Sequence, residues 1–176
     1  MDNTTCLIVM YMQQGLMHDM QSDYLNRKIL TQQGIITDAR AHGMPVLYTT
    51  TRFLDKSLDI VSALQPKSVD EIFESEGDVA IYGTSPRNGK KLEHLVESYS
   101  TLILIGLNYT LKGEKRSSIV RNVHALFDYT DKHIIICNRA ILDKSGMIKR
   151  HKMQLGLLFN NRFSVDDCLD ITTLNH

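Results

Sequence analysis

The chain has 176 residues, 43% of them apolar, with 20 lysines and arginines balancing 20 aspartates and glutamates. That is enough apolar material for one packed domain over 1–176, and too much for a disordered chain. Zero formal charge offers no basic field for a nucleic acid, and no apolar run approaches the ~18 residues of a membrane helix.

In chain order, short apolar runs alternate with longer amphipathic ones. Cys6–Met10, "CLIVM", reads as a strand that ends by presenting Tyr11 and Gln13. The stretch 22–43 reads as a helix through Leu25, Ile29, Ile36 and Ala39, with Ser22 as N-cap and Gly43 as its stop. A second strand is expected at 45–49 and a third at 78–82, "DVAIY". A helix at 90–99 follows, then the strand "TLILIG" at 101–106, ended by its glycine. Residues 117–129 read as a helix through Ile119, Val123, Leu126 and Phe127, 133–137 as a strand, and 146–158 as a final helix.

Apolar strands separated by helices predict a three-layer α/β/α sandwich around a mainly parallel sheet. Such sheets bind ligands outside the carboxyl ends of their strands. The residues placed there are Tyr11, Gln13, Arg52, Tyr82, Asn108 and Ser117, and these form the expected ligand-binding set for a small molecule.

Other signals are weaker. "GTSPRNGKK" (83–91) follows a strand, as a phosphate loop does, but five residues separate Gly83 from Gly89 where that motif has four. Lys91 also stands where the motif has a hydroxyl. A helix start at Gly89–Lys90 still offers an anion- or nucleotide-binding alternative. "LKGEKR" (111–116) and "KRHK" (149–152) read as solvated cations. His18 and Asp19 have no partner pair at metal-ligand spacing, so no metal and no cofactor is expected. Cys6, Cys137 and Cys168 are scattered and odd in number, as in a reducing compartment, and Cys6 and Cys137 read as buried thiols. With no signal-peptide pattern at the N-terminus, the expected location is cytoplasmic, away from membranes.

Several segments together resemble one family, the isochorismatase-like cysteine hydrolases. "CLIVMYMQQGL" (6–16) is similar to the family's "ALLVIDMQNDF". "ITDARAHGMPVLYTTTRF" (36–53) is similar to its helix, glycine and second strand. "GTSPRNGKKLEHL" (83–95) resembles "SAFxGTxLxxxL", and "TLILIGLN" (101–108) resembles "TLVLTGV". The stretch 117–140 resembles "CVxxTAxDAxxxGYxVxVVxDA", and 155–169 the closing segment. The resemblance implies the α/β sandwich, a homo-oligomer, and hydrolysis by a cysteine, an aspartate and a lysine.

The matching positions depart from that chemistry. The nucleophile's position falls on Ser117 or Ser118, the aspartate's on Tyr11, and the lysine's on Ile81 or Tyr82. A serine needs a positioned base, and a tyrosine, with a reference pKa of about 10, is not one at neutral pH. The expectation is therefore a pseudoenzyme with no confident catalytic residue, acting by binding a ligand or partner or by assembling. The alternative is a diverged hydrolase of a small amide, ester or vinyl ether. It would use Ser117 or Ser118, supported by Tyr11, Tyr82, Lys112 or His124. Seven residues of helix place His124 ~10 Å from Ser117, too far for a direct base.

Overall fold

The computed structural model describes residues 5–53, 57–129, 132–144, 162–166 and 170. Among these residues six strands form one sheet: β1 (Thr5–Met10), β2 (Val46–Thr51), β3 (Glu71–Ser75), β4 (Thr101–Asn108), β5 (His133–Asp143) and β6 (Phe163–Asp166). Their order is β3-β2-β1-β4-β5-β6, and every neighbouring pair is parallel. Among the described residues three α-helices accompany them: α1 (Ser22–Ala41), α2 (Leu92–Val96) and α3 (Ser118–Tyr129). The chain steps outward from β1 to β3 on one side, then from β4 to β6 on the other. With right-handed crossovers, that reversal puts α1 and α3 on opposite faces of the sheet. The result is the expected three-layer α/β sandwich.

Central strands are buried on both faces, which is why β1, β2 and β4 read as unbroken apolar or β-branched runs. Gly106 lies within β4 and does not end it, for the strand continues to Asn108. Its φ is +122°, and a Cβ there would meet the Met10 carbonyl oxygen at 2.2 Å. Only glycine lets β4 lie this close to β1.

The structure corrects three further expectations. The third strand is Glu71–Ser75, and 78–82 is a bend followed by a single 3-10 turn at Ala80–Tyr82. β3 is an edge strand in which Glu71, Glu74 and Ser75 flank only two apolar residues, Ile72 and Phe73, so it lacks the continuous apolar signature of its neighbours. Ser22 opens α1 and does not cap it; Gln21 holds the cap position without a side-chain bond, while Gly43, with φ +70°, follows the helix as expected. Finally, the helix expected at 90–99 is only α2, five residues beginning at Leu92. Gly89 and Lys90 belong to a hairpin in which Thr84 pairs with Lys91, so no helix starts there and the anion-site alternative loses its basis. The helix expected at 146–158 and Cys168 lie outside the described residues. Among the described residues, no helix is long and apolar enough to cross a membrane.

Candidate functional site

The strand order reverses between β1 and β4, so the crevice at their carboxyl ends is the place to look for chemistry. Tyr11 follows β1 there. It is fully buried, with φ +54°, a left-handed conformation uncommon for an aromatic residue. Such a conformation costs about 1–3 kcal/mol and persists only where its surroundings hold it.

Those surroundings are specific. The Tyr11 hydroxyl donates to the Asp78 carbonyl at 2.9 Å and accepts from Asn122 Nδ2 at 3.0 Å. Asn122 Oδ1 accepts from the Ala80 amide at 2.6 Å, and Nδ2 also donates to the Ser118 carbonyl at 2.8 Å. One amide thus ties the end of β1, the turn at Ala80–Tyr82 and the start of α3. These are the three places on which the resemblance puts an aspartate, a lysine and a cysteine. The Tyr109 ring packs edge-on against Tyr11 at 5.8 Å, and the Arg121 guanidinium lies over Tyr109 and pairs with Asp78 at 2.7 Å. Burial pushes the Tyr11 phenol well above its ordinary pKa, with Tyr109 adding to the effect, so the hydroxyl keeps its proton.

The start of α3 is equally closed. The Ser118 amide donates to the Tyr109 carbonyl at 2.7 Å, and the Ile119 amide to Asn108 Oδ1 at 3.1 Å. The Ser118 hydroxyl lies between Asn108 Oδ1, 3.4 Å away, and the Tyr109 amide, which donates to it at 3.1 Å. Asn108 Nδ2 in turn donates to Asp143 at 2.8 Å. Two of the helix-end donors that would stabilise an anion, the Ser118 and Ile119 amides, are therefore met by neutral oxygens of the chain itself. The carbonyl of Ser117 accepts from the Arg121 amide, so Ser117 occupies the cap position; its hydroxyl is buried without a hydrogen-bond partner among the described residues.

The remaining expected residues separate. The Gln13 side chain is buried and pairs with Thr51 like a short piece of strand: Nε2 donates to the Thr51 carbonyl at 3.1 Å and Oε1 accepts the Thr51 amide at 2.7 Å. Ile81 is buried. Tyr82 is 57% exposed and lines, together with Arg52, a cavity of about 640 Å³. That cavity is bounded by Glu74, Glu76, Asp78 and Thr84 among others, and not by Tyr11, Gln13, Asn108 or Ser117. Of the expected set, the structure brings Tyr11, Asn108 and Ser117 to one packed junction and Arg52 and Tyr82 to one open hollow. His124 is half-buried, its pKa lowered by burial and by Arg116.

Asn122, Asp78 and Tyr109 were absent from the expected set. A signal for Asn122 existed: it falls with Ile119, Val123 and Leu126 on the buried stripe of α3, where a polar residue needs partners.

The N-carbamoylsarcosine amidase of Thermoplasma acidophilum superposes on this chain with a TM-score of 0.69 at 16% identity, over 95% of this chain and 99% of the amidase. An isochorismatase of Pseudomonas putida KT2440 does so with a TM-score of 0.65 at 18% identity, over 93% and 87% of the two chains. This chain has the isochorismatase-like fold. A cysteine hydrolase of Pseudomonas syringae pv. phaseolicola matches it similarly, with a TM-score of 0.67 at 14% identity over 94% of this chain and 90% of that one. No family model and no curated protein matches the chain by sequence. The isochorismatase-like fold is therefore carried here by an all-parallel sheet, among the described strands, whose crevice is filled by side chains.

Proposed function

We propose that this isochorismatase-like domain does not hydrolyse substrates by the family's cysteine route and acts instead by binding. The observation that carries this is the Asn122 amide, which bonds to Tyr11, Ala80 and Ser118 and so occupies the junction where a substrate would need to sit. Hydrolysis by that route needs a thiolate, a carboxylate to move its proton and a cation to support both. The corresponding positions hold a serine, a phenol and either Ile81 or Tyr82. Loss of single members of such a unit costs other hydrolases ~10⁴–10⁶ in rate. A new serine mechanism at Ser118 is disfavoured by the contacts of its hydroxyl, which meets the Tyr109 amide and Asn108 rather than a base.

The test is turnover of nicotinamide, isochorismate and an N-carbamoyl amide by purified wild type beside Ser117→Ala and Ser118→Ala. Rates at background in all three support the reading. Turnover that disappears in either variant establishes the diverged serine hydrolase and overturns it.

A further inference from the structure

The hollow beside the filled crevice has a wall built with unusual care. The Gly77 carbonyl accepts from both the Thr51 hydroxyl, at 2.6 Å, and the Ser75 hydroxyl, at 2.7 Å. The next carbonyl, Asp78, accepts from Tyr11, and the Ala80 amide is held by Asn122. These hydroxyls and the buried Tyr11–Asn122 network together fix the backbone of Gly77–Ala80, of which Gly77, Asp78 and Val79 line the cavity. A concave surface fixed before binding loses little freedom when a ligand arrives, and about 640 Å³ lies within the range of small-molecule sites.

The lining also sets the ligand's charge. Arg52 is the cation among the six polar residues named above, and it stands 2.8 Å from Glu74 and 3.6 Å from Glu76. Asp78 is neutralised from outside the lining by Arg121. Among the described lining residues, one guanidinium therefore answers two carboxylates, and the Glu76 side chain is 89% exposed. Tyr82 brings an exposed aromatic ring to the same hollow. Surplus carboxylate beside an aromatic ring attracts cations and repels anions.

We infer that the cavity between the ends of β2 and β3 is a binding site for a small organic cation, an amine or guanidinium on a short aliphatic chain. The inference rests on the reading of the domain as a binder, and adds to it the place and the ligand class. Agmatine is a suitable probe, titrated into the full chain and followed by amide chemical shifts.

Saturable shifts centred on Arg52, Glu74–Val79 and Tyr82–Thr84, weakening as salt is raised, are expected. Glu76→Lys is expected to weaken binding about tenfold and Tyr82→Ala about threefold, each keeping the wild-type melting temperature because both side chains are exposed. Succinate, an anion of similar length, should produce no such shifts. Absence of saturation, shifts centred elsewhere, equal binding of succinate, or undiminished binding by Glu76→Lys each overturns the assignment. Hydrolytic turnover is measured separately, so its discovery would overturn the non-catalytic reading and leave the outcome of this titration legible.

Discussion

The Asn122 amide nitrogen lies 3.0 Å from the Tyr11 hydroxyl, across 111 residues of chain and at the centre of a fully buried junction. Each side chain satisfies the other, and each also meets backbone groups: the Asp78 carbonyl for Tyr11, the Ala80 amide and Ser118 carbonyl for Asn122.

Removing either partner leaves buried polar groups unmet, at a cost of about 1–3 kcal/mol each. Tyr11→Phe is expected to destabilise by ~1–3 kcal/mol. Asn122→Ala, which strands more groups, should cost ~3 kcal/mol or more. The double variant should cost less than the sum, because the two share one network. Urea unfolding of the four proteins measures the coupling; simple additivity would show that the pair is not a unit.

Gly106→Ala tests the close approach of β1 and β4. The added Cβ meets Met10 backbone at 2.2 Å and sits on a residue with φ +122°, so neither rotamer change nor small side-chain movement relieves it. A loss of ~3 kcal/mol or more, or failure to fold, is expected from thermal or urea unfolding. Gly43→Ala, where the added atom meets nothing within 4 Å, should cost only the left-handed backbone strain, about 1 kcal/mol.

The buried phenols set an alkaline limit on stability. Burial raises the pKa of Tyr11 and Tyr109, and pushes Tyr48 and Tyr99 up to about 12. The folded values lie above the unfolded value of about 10, so the unfolded chain releases these protons first. Their contribution to stability is whole below pH ~10 and is lost as pH rises through the folded values. Spectrophotometric titration of the seven tyrosines should therefore show Tyr11, Tyr48, Tyr99 and Tyr109 ionising late, together with loss of the fold. Smooth ionisation of all seven near pH 10, with the fold intact, would contradict this burial.

The strands that form the middle of the sheet were legible because burial on both faces demands continuous apolar runs. β3 was not, because an edge strand tolerates acidic residues such as Glu71 and Glu74 that a central strand does not, while the apolar "DVAIY" packs against it as a turn. The positions of Tyr11 and Ser117 at one end of the sheet followed from strand order. Their closure did not, since it depends on the side chain of Asn122, whose partners Tyr11, Ala80 and Ser118 come from three separate segments. Gln13 misled for a related reason. A glutamine amide can mimic a peptide group, and no local pattern distinguishes that use from ligand recognition.

On the proposed reading the start of α3 does not activate a nucleophile, because its Ser118 and Ile119 amides already donate to the Tyr109 carbonyl and to Asn108. Ser117→Cys and Ser118→Cys place a thiol at each candidate position, and thiolate absorbance followed against pH gives its pKa directly. A catalytic helix end lowers a cysteine from about 8.5 to ~3.5–7.5. With those two amides occupied and the position buried, a value at or above about 8.5 is expected in both variants. A value below ~7 in either would show a helix end still open to an anion, and would contradict the claim.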